Sequence, residues 1–80
     1  RNLALKDQAD IIIANINKNV LLSEISEYAR LLISDGILIL SGFFEKDAPE
    51  ICAHAEKLGL KLIQQKCKNL WVVIVLSKRE

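Results

Sequence analysis

Eighty residues allow one domain at most, and a chain this short supports only a modest core. The net charge is +1 with acids and bases mixed along the chain, which gives no electrostatic reason to propose nucleic acid as a direct partner. Hydrophobic residues reach 51%, but the apolar runs at 11–14, 37–40 and 70–76 all fall short of the roughly 20 residues of a membrane-spanning helix, so a membrane reading is excluded.

In chain order, residues 1–8 are polar and mixed, and read as a loop or the remnant of a preceding element. They alternate charged and apolar types, unlike a secretory leader, and Arg1 in place of Met points to an excised segment. Residues 9–80 carry the folded domain. The run 9–14 is apolar apart from Asp10 and rich in isoleucine without alternation, the habit of a strand buried on both faces. Asn15 to Asn19 form a polar break. Leu21, Leu22, Ile25, Tyr28, Ala29 and Leu32 then fall on one side of an amphipathic helix. Asn17 or Asn19 can cap its start, and Asp35-Gly36 ends it with Gly36 free to take a positive φ.

Residues 37–40 predict a second strand buried on both faces, ending at Ser41-Gly42. Asp47 opens a second helix as N-cap, with Glu50 placed to return the capping-box bond and Pro49 tolerated in the first turn. Ala48, Ile51, Cys52, Ala55 and Leu58 make its buried stripe, and Gly59 closes it. Residues 60–67 form a third, more polar strand near an edge. A tight turn at Lys68-Asn69 leads to a fourth strand, 70–76, apolar throughout and antiparallel to the third.

Strands alternating with helices imply parallel pairing with right-handed crossovers. The last strand, the most apolar, is expected to insert between the second and third. In such open sheets ligands bind beyond the carboxyl ends of the parallel strands. Those ends carry Asn15-Ile16-Asn17 and Ser41-Gly42-Phe43, so both polar breaks face one edge. The Asn15 amide has two donors and an acceptor with which to orient an amine or a ribose hydroxyl; equally, it can start the turn or cap the helix. Gly42 can admit a ligand against the backbone or simply let the chain turn.

Other chemistry is sparse. Two cysteines fit a reduced intracellular protein, hence a cytoplasmic one, and both read as core or near-core residues. Cys52, His54 and Cys67 lack zinc spacing, so no metal site is expected. His54 reads as a surface residue and Trp71 as a packing residue. The three glycines are scattered at element ends, and no glycine-rich phosphate loop is present.

The run Ala9-Asp10-Ile11-Ile12-Ile13-Ala14-Asn15-Ile16-Asn17 resembles the fourth strand and following motif of class I S-adenosylmethionine-dependent methyltransferases, and Ala14-Asn15-Ile16 is similar to the motif of the PrmA family. Residues 34–43 resemble that family's fifth strand, where a Pro-Gly-Gly turn is common and Asp35 departs from the usual glycine. The turn Leu58-Gly59-Leu60 and the strand at Trp71-Val72-Val73 match its ending. The resemblance implies the C-terminal half of a Rossmann-like α/β sheet, in the order β-α-β-α-β-β with an antiparallel last strand. It implies transfer of methyl groups from S-adenosylmethionine to amino groups of a ribosomal protein, the eleventh of the large subunit. Asn15 would then be the catalytic and cofactor-contacting asparagine, and Ile16 would add backbone contacts to the cofactor. Asn17, Ser41, Gly42 and Phe43 would lie on the acceptor side. The family's glycine-rich loop would precede this chain, so the 80 residues alone are expected to be inactive. A non-enzymatic alternative is an α/β module that self-associates through an exposed, apolar edge strand.

Overall fold

The computed structural model describes residues 9–15 and 17–78. They form four strands and two helices: β1 (Ala9–Asn15), α1 (Lys18–Leu31), β2 (Leu32–Phe44), α2 (Ala48–Lys57), β3 (Leu60–Lys68) and β4 (Trp71–Lys78), with a 3-10 turn (Glu45–Asp47) before α2. The reading of residues 1–8 as a loop lies outside the described residues.

The sheet order is β1-β2-β4-β3. β1 pairs parallel to β2, with Ile11 opposite Ile37 and Ile13 opposite Ile39. β4 runs antiparallel to both β2 and β3, and so takes the internal position its apolar sequence suggested. The β3–β4 turn places Asn69 and Leu70 at φ 53 and 73, the pair of left-handed residues that a two-residue hairpin matching strand twist requires. Its position moves the strands by one residue: β3 runs to Lys68 and β4 starts at Trp71.

The helices are built from the expected stripes. Asn17 caps α1, its side-chain oxygen accepting from the Val20 amide at 3.0 Å. Leu21, Ile25, Tyr28, Ala29 and Leu31 are its buried residues. Pro49 sits in the first turn of α2, where its missing N–H costs nothing, and Ala48, Ile51 and Ala55 are buried. These side chains meet Ile12, Ala14, Leu38, Leu40, Phe43, Val72, Ile74 and Leu76 in one core between helices and sheet. Each fully buried aliphatic here contributes roughly 1.5–3 kcal/mol relative to exposure.

Several local expectations fail for identifiable reasons. α1 ends at Leu31, and β2 begins at once at Leu32, so Asp35 and Gly36 lie within the strand. The positive φ, 68, belongs to Asp35. Gly36 serves a different need: a Cβ there would stand 2.9 Å from the Ile33 carbonyl oxygen. No capping box forms on α2, because Asp47 has no side-chain cap bond. The Asp47 and Glu50 carboxylates turn to Lys18 instead, at 3.7 and 3.3 Å.

The largest departure concerns burial. β1 and β2 were read as covered on both faces, yet Ile11 and Ile13 are 58% and 69% exposed, and Ile37 and Ile39 only half-buried. Alternate residues Ile12, Ala14, Leu38 and Leu40 are buried. α1 and α2 cover one face of the sheet, and no described residue packs a second layer on the other. Cys67 is likewise exposed, correcting its reading as a core or near-core residue, whereas Cys52 is half-buried as expected; Trp71 packs on Phe44 but stays half exposed.

Candidate functional site

Parallel pairing sets the two strand ends side by side. Asn15 is the register partner of Ser41, so the polar residues that end β1 and β2 are neighbours, as the sequence suggested. Both follow the isoleucines of the open sheet face in alternation. Asn15 is exposed and Ser41 half-buried, which leaves the Asn15 amide accessible beside a hydroxyl. Ile16 lies outside the described residues.

Just beyond Ser41, Gly42 takes φ 98, and the β2–β4 register shifts between Leu40 and Phe43. This bulge re-aims the strand, a conformation that side chains rarely tolerate. It turns Phe43 toward the helices, where it is 2% exposed and part of the core. Phe43 thus reaches the site only as the floor of a hollow of about 370 Å³, whose walls include Asn17, Asn19, Gly42 and Asp47. Asn17 is committed there as the α1 cap. The structure therefore divides the five described candidates: Asn15 with Ser41 on the open face, and Asn17 with Gly42 and Phe43 around the hollow.

Lys18 spans this region from α1 to the start of α2. The hydrogen bond and charge of Glu50, then the charge of Asp47, raise its pKa above the ordinary lysine value, so it remains a fixed cation tying the helix starts together. The Cys52 thiol is pushed up by burial and then by the Glu56 charge. Loss of hydration, then a hydrogen bond to Glu45 and its charge, raise the Cys67 thiol. Among the described residues no group of three His, Cys, Asp or Glu side chains could hold a metal ion, and no helix is long and apolar enough to cross a membrane. His54 is half-buried beside Leu22 and Lys57, where the helices meet.

The same edge carries an aromatic pair that the uniformly apolar run 70–76 does not reveal. Phe44 and Trp71 are register partners and stack, ring centroids 4.7 Å apart, with Leu70 exposed beside them at the turn. The signal was present: Trp71, Val73 and Val75 alternate with the buried Val72, Ile74 and Leu76, but uniform apolarity hides an alternation.

The family profile of "Ribosomal protein L11 methyltransferase (PrmA)" matches residues 1–79. The chain belongs to the PrmA family. It is 45% identical over 65 residues to the ribosomal protein L11 methyltransferase of Porphyromonas gingivalis, covering 81% of this chain and 22% of that protein. It is 41% identical over 73 residues to the enzyme so named in Bacteroides thetaiotaomicron, covering 91% of this chain and 26% of that protein. The chain thus spans about a quarter of the length of these PrmA relatives. The ribosomal protein L11 methylase structure from Lactobacillus delbrueckii subsp. bulgaricus superposes with a TM-score of 0.86 at 24% identity, over 95% of this chain and 39% of that one. A methyltransferase from Pyrococcus furiosus gives 0.75 at 16% identity, over 95% and 44%. These two likenesses establish the Rossmann-like methyltransferase fold.

Proposed function

We propose that this chain supplies the acceptor side of a methyltransferase active site, acting on amino groups of a ribosomal protein. The observation that carries the reading is the Asn15–Ser41 pair at the carboxyl edge of the parallel strands, in a PrmA chain. S-adenosylmethionine, when bound, supplies an electrophilic methyl group on sulfur. Asn15 and Ser41 offer hydrogen-bonding groups for one side of such a ligand. The glycine-rich cradle for its remainder has no equivalent among Gly36, Gly42 and Gly59, which stand at a crowded strand position, a bulge and a helix end.

The chain's own contribution is orientation. The Asn15 side-chain oxygen can accept from a neutral amine and leave the nitrogen lone pair pointing at the methyl carbon. Holding the reacting atoms about 3 Å apart and in line is the main source of acceleration for such a displacement. The displacement itself requires no covalent intermediate.

A chimera tests this reading. Residues 1–80 replace the matching segment of the P. gingivalis relative, and methyl transfer to ribosomal protein L11 is assayed. The expected result is an active chimera that loses at least about 100-fold in kcat when Asn15→Ala is introduced, the usual scale for a lost orienting donor or acceptor. Unchanged kcat in the variant would remove Asn15 from the mechanism. The 80-residue chain alone should show no micromolar S-adenosylmethionine binding by calorimetry; such binding would overturn the view that the cofactor's main cradle lies elsewhere.

The exposure of Ile11 and Ile13 supports a second reading, assembly of the chain through its sheet edge.

A further inference from the structure

Lys18 occupies a position that its own helix disfavours. It is the first residue of α1, where a cation opposes the positive end of the helix dipole, and no acidic residue shares that first turn. Its partners come from α2 instead. The Lys18 ammonium donates to Glu50 Oε1 at 3.3 Å and lies 3.7 Å from Asp47 Oδ1. Asp47 in turn makes no side-chain cap bond to α2, although aspartate is among the preferred capping types. Each helix start thus forgoes a local interaction, and the two are joined to each other.

This joint crosses the candidate site. Asn15 ends β1, and Lys18 opens α1 directly after the break. Ser41 lies near the end of β2, and the 3-10 turn Glu45–Asp47 leads from that strand into α2. Both connections wall the hollow of about 370 Å³, Asn17 and Lys18 from the first and Gly42, Phe43 and Asp47 from the second. The Leu21 amide donates to the Asn17 carbonyl at 2.9 Å, so the backbone itself keeps Lys18 in the helix beside the side-chain cap. Asn15 is exposed, so burial does not fix its amide, and the connection to α1 is its constraint.

We infer that Lys18 is a positioning residue for methyl transfer: its bridge to Asp47 and Glu50 holds the β1–α1 and β2–α2 connections at a fixed separation, and so holds Asn15 in line with the acceptor amine. The inference rests on the methyl-transfer reading and adds to it a residue that acts through Asn15. An ion pair as exposed as this one adds little to folding stability. Its effect belongs in the rate, because alignment of reacting atoms is far more sensitive than folding, and a misplacement of about 1 Å can cost about 100-fold.

The chimera with the P. gingivalis relative tests this. Lys18→Met keeps the side-chain length and removes the charge, and it should lower kcat about fivefold or more with the urea midpoint nearly unchanged. KM should change by less than about twofold, since no substrate contact is lost. Lys18→Arg keeps the bridge and should bring kcat back to within about twofold of the parent chimera. Glu50→Gln, which leaves Asp47 in place, should lower kcat by less than Lys18→Met does and add nothing to it, because partners in one bridge are not additive. An unchanged kcat in Lys18→Met, failure of arginine to restore it, or full additivity with Glu50→Gln overturns the inference. So does a rise in KM at constant kcat, which would make Lys18 a binding contact. Asn15→Ala in the same chimera separates the two readings. If it costs kcat and Lys18→Met does not, only the positioning role falls; if it costs nothing, the role of Asn15 in methyl transfer falls and the positioning role with it.

Discussion

The backbone at Asp35 has φ 68, a region where a Cβ crowds the following carbonyl at a cost of roughly 1–2 kcal/mol. Glycine there would relieve the crowding but add about 0.5–1 kcal/mol of unfolded-chain entropy. Asp35→Gly should therefore leave stability within about 1 kcal/mol of the parent. Gly36 is the opposite case. An added methyl would meet the Ile33 carbonyl and the Leu32 Cδ2 atom, both at 2.9 Å, and the backbone has to shift to admit it. Gly36→Ala should destabilise by about 1–3 kcal/mol, the usual cost of overpacking. Urea midpoints of the two variants check the contrast; a harmless Gly36→Ala would mean that β2 relaxes freely at its first turn.

Cys67 offers a test of electrostatics at the same scale. Its thiol is held above the ordinary cysteine value, after loss of hydration, by Glu45. A raised pKa keeps the neutral thiol to higher pH, so the reactive thiolate is scarce near neutrality and appears only above the ordinary cysteine range. Glu45→Gln removes the charge, and the rise in Cys67 alkylation should move to lower pH. Cys52, half-buried and raised by burial first, should stay slower than Cys67 in both proteins. Identical pH profiles with and without the Glu45 charge would dismiss the contact.

Among the elements, α1 shows how a polar residue at a ligand-binding edge can be fully accounted for by folding. Asn17 satisfies an amide that the first helical turn would otherwise leave unpaired, and Asn17→Ala should cost about 1 kcal/mol of stability without altering the denaturant m-value. In the chimera the same substitution should leave kcat unchanged; a lower kcat at full folding would give Asn17 the acceptor role that the resemblance implies. Lys18, the next residue, bridges to Asp47 and Glu50, and this explains why an Asp-x-x-Glu sequence does not close into a capping box. Element order, parallel and antiparallel pairing and the Asn15–Ser41 juxtaposition were legible because they follow from apolar runs, turn residues and connection length. The one-sided burial of the sheet was not. A run such as Ile11-Ile12-Ile13 has the same sequence whether or not something covers its second face, so composition reports the capacity for burial and not its fulfilment. The Phe44–Trp71 shelf was hidden for the same reason.

For the whole molecule, the two sheet edges differ in a way that fixes where association begins. β3 is exposed beyond the buried Leu60 but carries Lys61, Lys66 and Lys68, and charged edge residues resist pairing with another chain. The described part of β1 has one charge, Asp10, and presents Ile11 and Ile13 beside the half-buried Ile37 and Ile39. Continuous apolar strands of parallel sheets are ordinarily covered on both faces, because the crossover helices lie there. In PrmA relatives about four times as long, further chain is available to provide that cover. The 80-residue chain in solution has only another copy. It should self-associate through β1 and the open face, with an average mass that rises with concentration in light scattering. Ile13→Lys places a charge in the middle of that surface and should restore the monomer. Gln64→Lys, on the edge that lysines already protect, should leave the association unchanged. A clean monomer at high concentration would show that the open face is tolerated by the isolated chain and would end the assembly reading. Suppression by Gln64→Lys but not by Ile13→Lys would instead transfer the contact to β3, despite its lysines.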